Sequence, residues 1–329
     1  MLGVRVPIVL APMVGVSGWE LASQVARSGG LGLIGVGHEG GTGPDKLRAD
    51  YKKALDSGAK ASSLGFGFTV EFMDKDDQSF KQVLELNPKP GVVWLSFGHE
   101  QNMRARVEQV VNSGIKVMTM AHSVGEAVSQ HRLGSNAVVL QSGDAGGHGT
   151  QIHSDSYTST VPEFRTHVGK DFPVLAAGGV VAGDGLAAAL TVGADGVVIG
   201  TRFSVCKESM VPPDYKRELI GCDTHSASLR SESWDLFAAT KYPPRIHARA
   251  VSNVVSKRFH SPVGSENKTI TQQDKDWFSN GGMETRPVWA GAGVARVTKE
   301  DSAKEAIDSM LEEARSALNQ ADMALKRII

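Results

Sequence analysis

The fold that the sequence predicts is α/β: a (β/α)8 TIM barrel with a long insertion after strand 8 covering the barrel mouth. Eight short apolar runs alternate with helix-like stretches across residues 1–201. The runs lack strict polar alternation, as strands buried on both faces of a parallel sheet do. A long polar stretch, residues 202–287, then separates the eighth run from one last amphipathic helix. Eight strands favour a closed barrel over an open doubly wound sheet.

The first run, residues 7–11, ends in Pro12-Met13. Ser17 can cap a helix whose Leu21, Ala22, Val25 and Ala26 recur at helical spacing before Gly29-Gly30 ends it. Residues 31–36 form the second strand, residues 35–43 its glycine-rich loop and residues 44–57 its helix, stopped at Gly58. The third strand spans 64–70, and its helix, 78–86, ends before Pro88 and Pro90. The fourth spans 91–97, followed by a helix carrying Met103, Val107, Val110 and Val111 to Gly114. The fifth spans 115–120 with a helix over 123–131, and the sixth spans 136–141. Residues 162–168 can form a helix, 173–177 the seventh strand, 183–192 a helix and 194–199 the eighth strand.

Residues 1–201 and 288–329 are thus assigned to the barrel, closed by a helix over 302–328 that presents Ala306, Met310, Ala314, Ala317 and Leu318 on one face. Residues 202–287, with Trp234, Trp277, Pro243-Pro244 and the basic pair Lys257-Arg258, are expected to form a lid or small substrate-side subdomain. A homodimer surface is the alternative use for them.

Lys and Arg number 35 against 36 Asp and Glu, a net charge of −1, so no charge excess calls for nucleic acid or an acidic membrane as partner. A small-molecule ligand is expected. Cys206 and Cys222 lack metal-ligand spacing, and the chain shows no secretory leader or bilayer-spanning run, which predicts a soluble cytoplasmic protein.

Chemistry concentrates in residues 141–150, where Gln141-Ser142-Gly143-Asp144-Ala145-Gly146-Gly147-His148-Gly149-Thr150 follow the sixth strand. The stretch is too glycine-rich to continue as a strand and reads as an active-site loop. Its glycines, Gly146 and Gly147 among them, let the backbone approach a flat ligand. His148 is its one side chain that titrates near neutrality, suited to take a proton from carbon beside an electron-withdrawing group. The bland alternative is an ordinary hydrogen-bonded loop histidine. Asp144 can cap the loop backbone or, second in rank, orient His148.

Gly178-Gly179 and Gly200-Thr201 end the seventh and eighth strands, where barrels commonly bind phosphate on unobstructed N–H groups. Tight turns are the alternative reading of these glycines. No G-x-G-x-x-G follows the first strand, so a mononucleotide fits better than a dinucleotide. His38, His99, His122 and His153 lie near strand ends or loops without metal-binding spacing, and no metal is expected. In a barrel, Met13, Thr69, His148 and these glycines all converge on one mouth.

Ala11-Pro12-Met13, Asp144-Ala145-Gly146-Gly147-His148, Ala177-Gly178-Gly179-Val180, Gly200-Thr201-Arg202-Phe203 and Trp289-Ala290-Gly291-Ala292-Gly293 together resemble the nitronate monooxygenase family, formerly called 2-nitropropane dioxygenases. The similarity runs across nearly the whole chain. The resemblance implies non-covalent FMN and oxidation of alkyl nitronates or nitroalkanes by O2 to a carbonyl compound and nitrite. It implies His148 as general base, Gly178, Gly179, Gly200 and Thr201 on the FMN phosphate, and Ala11, Pro12, Met13 and Gln141 beside the ring or ribityl chain. Three positions depart from the family pattern: Thr69 stands where many members carry asparagine, Asp144 where glutamate is usual, and Gly149 where arginine or proline is usual. An NAD(P)H-dependent FMN reductase of the enoyl-reductase type, and a non-catalytic flavin-binding interaction protein, are the alternatives on the same scaffold.

Overall fold

Neighbouring apolar residues in the predicted strands point to opposite faces, residues two apart share a face, and both faces are buried. In Val92–Ser96, Val92 and Trp94 face the barrel interior while Val93 and Leu95 pack against the helices. Ala137 and Val139 repeat the pattern inside, Val138 and Leu140 outside. The protein is described by a computed structural model covering residues 3–37, 43–73, 77–150, 155–223, 228–237, 242–243, 246–260 and 269–328. His38, His153, Pro244 and most of the loop after the second strand lie outside the described residues.

The strands are β1 (Ile8–Leu10), β2 (Gly32–Gly35), β3 (Leu64–Thr69), β4 (Val92–Ser96), β5 (Lys116–Ala121), β6 (Ala137–Gln141), β7 (Gly147–Thr150), β8 (Val174–Ala177), β9 (Gly196–Ile199), β10 (Ser228–Ser231) and β11 (Ile246–Val251). Eight of them form one parallel sheet in the order β1-β9-β8-β6-β5-β4-β3-β2. A parallel bridge between Val9 and Leu31 closes it, with Leu31 N–H donating to Ile8 O at 3.1 Å and Leu10 N–H to Leu31 O at 2.9 Å. The predicted barrel is therefore present, each strand within two residues of its expected bounds.

Seven helices follow successive barrel strands: α1 (Trp19–Arg27), α2 (Pro44–Asp56), α3 (Gln78–Glu85), α4 (Glu100–Asn112), α5 (Val124–Arg132), α6 (Tyr157–Val168) and α7 (Gly183–Thr191). The eighth place is taken by the closing helix Ala303–Lys326, whose N-terminus carries a reciprocal Ser302–Glu305 capping box. That helix buries Ala303, Ala306, Ile307, Met310 and Ala314. A side chain at Gly183 would run into its Met310 and Ala314 backbone, so this glycine sets how closely α7 approaches.

Three local expectations are corrected. α6 begins at Tyr157 and contains Pro162: Ser156 caps the helix ahead of the proline, which gives up one backbone hydrogen bond inside it. Ser17 is not the cap of α1, whose N-cap is Gly18; its hydroxyl accepts from Met13 N at 2.7 Å and Gly35 N at 3.1 Å instead. Residues 147–150 are not loop but strand, because β11 supplies an antiparallel partner.

β7, β11 and β10 form a second, antiparallel sheet in the order β10-β11-β7. Trp234, Ala248, Ala250, Val255 and Phe259 make a small core beneath it, joined by Phe237, Trp277, Phe278 and Trp289. Apart from Trp289, this core lies within the polar 202–287 stretch. No helix among the described residues is long and apolar enough to cross a membrane.

Candidate active site

Seven barrel strands surround a cavity of about 350 Å³ at their C-terminal ends, inside the roughly 300–1,000 Å³ typical of ligand sites. Its floor is the top layer of the barrel interior, Trp94, Met120, Ala177 and Val198. Ala11, Pro12 and Met13 line one side. Their path is dictated by Ser17, which binds Met13 at both N and O, and by Gly35 and Gly67, where any Cβ would collide with Met13 and Pro12.

The predicted glycine cradle stands opposite. Gly178 and Gly179 have φ of 112° and 73°, a region that L side chains disfavour. A Cβ on Gly178 would strike Ser142 Oγ, and one on Gly200 would lie 3.3 Å from Met13 Sδ. Among the described residues, the N–H groups of Gly178, Gly179 and Gly200 donate to no protein acceptor. Thr201 also lines the cavity; its Oγ1 accepts Gly291 N–H at 3.0 Å, which leaves its O–H to donate.

Gln141, Gly146, Gly147 and His148 complete the predicted set along the wall. Gln141 Oε1 lies 3.0 Å from His122 Nε2, and His122 Nδ1 lies 3.5 Å from Glu126. The segment after Gln141 is held from outside the barrel. Gly146 packs so closely on Ala290 and Gly291 that a Cβ would come within 2.6 Å of their backbone. The buried guanidinium of Arg230, on β10, donates to the carbonyls of Gly143 (3.2 Å), Ala145 (2.6 Å), Gly147 (3.2 Å) and His247. Arg249, on β11, adds a second bond to Gly143 O at 3.1 Å. Burial, with Arg249 nearby, pulls the Arg230 pKa down to about 10. Asp144 does not cap this loop: among the described residues its exposed carboxylate makes no hydrogen bond, and its main-chain O accepts Ala292 N–H at 2.9 Å.

His148 sits on β7 opposite Ala248 of β11. Its Nε2 lies 2.8 Å from Asp235 Oδ1, and both side chains are more than four-fifths buried, at 15% and 16% exposed. Tyr242 stacks on its ring, with centroids 3.6 Å apart and planes 13° from parallel, and Trp289 lies at 5.5 Å. The Tyr242 hydroxyl hydrogen-bonds Thr69 at the end of β3, and burial pushes its pKa up to about 12, so it stays neutral at ordinary pH. Phe97 and Phe72 meet Tyr242 edge-on at 5.3 and 4.7 Å.

All the sequence-derived site residues therefore share one cavity: His148, Ala11, Pro12, Met13, Thr69, Gln141, Gly146, Gly147, Gly178, Gly179, Gly200 and Thr201. Asp235, Tyr242, Arg230 and Arg249 were not legible as site residues. They lie 89 to 108 positions beyond Gln141 in a stretch without periodicity, where the aromatic-rich composition of 234–242 is the signal the sequence offers. Among the described residues no group of three or more His, Cys, Asp or Glu is placed to hold a metal ion.

Compared with known families, residues 52–313 match nitronate monooxygenase. The chain belongs to this family. A nitronate monooxygenase of Pseudomonas aeruginosa is 28% identical, over 96% of this chain and 98% of its own. FabK from Thermotoga maritima shares the fold with a TM-score of 0.78 at 22% identity, covering 98% of this chain and 97% of its own. A nitroalkane oxidase from Streptomyces ansochromogenes does so with a TM-score of 0.74 at 24% identity, covering 97% and 98%. As a member of the nitronate monooxygenase family, the protein is an oxidoreductase.

Proposed function

We propose that this family member binds FMN non-covalently and oxidises alkyl nitronates, and nitroalkanes after deprotonation, with O2 to a carbonyl compound and nitrite. The observation that carries the reading is the shared cavity: one imidazole and two glycine-ended strands with undonated N–H groups face the same space. The glycine ends suit the FMN phosphate, since their N–H groups meet no protein acceptor among the described residues and Gly178 and Gly179 hold a positive φ that a side chain would strain. Ala11, Pro12, Met13 and Gln141 would lie beside the ring and ribityl chain, with Gly146 and Gly147 allowing close approach. Thr69 engages the Tyr242 hydroxyl, so its contribution runs through that aromatic wall. A bound flavin supplies the redox chemistry with O2.

The protein's own residues handle access and the proton. His148 takes the proton from the carbon bearing the nitro group, leaving the electron pair on the substrate as nitronate. Trp94, Phe97, Tyr242 and Trp289 exclude water and restrict the site to small, largely apolar substrates. Residues 202–287 act as a cover, contributing Tyr215 and Tyr242 to the cavity lining.

The test is anaerobic titration of the purified FMN protein with nitronate, NADH and NADPH in parallel. Bleaching of the flavin by nitronate, without nicotinamide, is the expected result. Rapid reduction by NADH or NADPH and none by nitronate would replace this reading with a reductase.

A further inference from the structure

Resting on that reading of His148 as base, we propose that Asp235 is a positioning residue that holds the neutral imidazole in its Nε2–H tautomer and so makes Nδ1 the atom that accepts the substrate proton. An ionised carboxylate only accepts hydrogen bonds, so the 2.8 Å contact with Asp235 Oδ1 requires a hydrogen on Nε2. The lone pair of neutral His148 then lies on Nδ1, which makes no hydrogen bond among the described residues. Tyr242, stacked at 3.6 Å, covers a ring face and leaves the in-plane lone pair unobstructed by that contact. As the substrate C–H bond breaks, its proton goes to Nδ1 and its electron pair stays on the substrate; the imidazolium retains Nε2–H on Asp235.

The surroundings select Asp235 for this task. Of the other titratable groups near His148, Arg230 is committed to four carbonyls, the Tyr242 hydroxyl is held by Thr69, and burial lowers the pKa of His247. Asp235 comes from the segment just after β10, far from the barrel strands in sequence, so the insertion completes the base as well as the cavity wall. The arrangement follows the general logic in which a carboxylate orients a histidine and stabilises its cation, with the roles of the two ring nitrogens exchanged.

The experiment combines ¹⁵N NMR of histidine-labelled protein with kinetics on paired substrates, using wild type, Asp235→Asn and Asp235→Glu. In wild-type protein above neutral pH, the His148 ¹⁵N shifts should report Nε2–H. Asp235→Asn should redistribute the tautomers and lower kcat/KM for a neutral nitroalkane on the order of 100-fold, while preformed nitronate changes by less than about 3-fold. Asp235→Glu should restore the wild-type ¹⁵N pattern and part of the rate. A wild-type His148 carrying its hydrogen on Nδ1 overturns the proposal on its own, even if the Asn variant fails to fold, and so does an unchanged pattern in a folded Asn variant. Absence of nitronate turnover in wild-type enzyme would instead refute the proposed function, leaving the NMR result to decide the role of Asp235.

Discussion

The two sides of the cavity are built by opposite means. The barrel side, from β1, β8 and β9, presents main chain and small residues, and its chemistry is made of N–H groups and steric openness. The insertion side presents side chains: Asp235 and Tyr242 on His148, and Arg230 and Arg249 on the carbonyls of the segment before it. Backbone geometry of this kind needs little more than glycine at the right strand ends. Side chains reaching in from residues 228–249 can tune which substrate enters the cavity and in what protonation state. His148 is where the two sides meet, on a strand whose position depends on both.

That contrast can be broken most sharply at His148 itself. His148→Asn should lower kcat/KM for neutral nitroalkane by about 10²- to 10⁴-fold and leave preformed nitronate nearly unaffected. Equal losses on both substrates would remove the proton-transfer role.

Next comes the insertion's grip on the loop. Arg230→Met leaves several buried carbonyls without their charged donor and should destabilise the protein by about 2–3 kcal/mol, read by urea unfolding. Arg230→Lys should recover little, since one ammonium cannot span the same set of acceptors. Wild-type stability in the Met variant would show that β7 and β11 hold the segment unaided.

On the barrel side, Gly178→Ala should strain a φ of 112° and press on Ser142. We expect FMN affinity to fall roughly 10- to 100-fold, from about 1–3 kcal/mol of strain, measured by flavin fluorescence titration. Unaltered affinity would move the phosphate away from the end of β8.

The smallest effect concerns His247 on β11. Burial holds its pKa below the ordinary 6.5, with the Arg230 and His148 charges acting in the same direction and Glu232 and Asp235 opposing them. The folded state therefore binds fewer protons than the unfolded chain below pH 6.5, so stability is intact above that value and declines as pH falls through the folded pKa. His247→Gln should remove that part of the acid sensitivity, a Tm difference of about 1–2 °C between pH 6.5 and 5 by calorimetry. An identical acid slope in the variant would assign the loss to other groups.

The barrel was readable because its signals are local. Eight apolar runs of strand length, each followed by a helix with its own stop, leave few topologies and favour the closure that Val9 and Leu31 make in the structure. The glycines at 178, 179 and 200 were readable for the same reason, since a residue without a Cβ at a strand end carries its meaning in the sequence. Strand β7 was hidden because Gly147-His148-Gly149-Thr150 has little strand propensity and becomes a strand only when β11, about a hundred residues later, satisfies its backbone. Ser17 misled for a related reason: a hydroxyl before a helix is a good cap, and only the folded barrel brings Gly35 within its reach.

By itself, then, the sequence determined the barrel, the glycine-lined strand ends and the histidine beside them, all encoded within single strand–loop–helix units. Only the tertiary structure decided that Asp235 meets Nε2 of that histidine, that Tyr242 stacks on its ring and that Arg230 binds the loop before it. Those contacts join residues remote in the chain, and their geometry depends on how the antiparallel sheet of the insertion registers against β7, which no local pattern specifies.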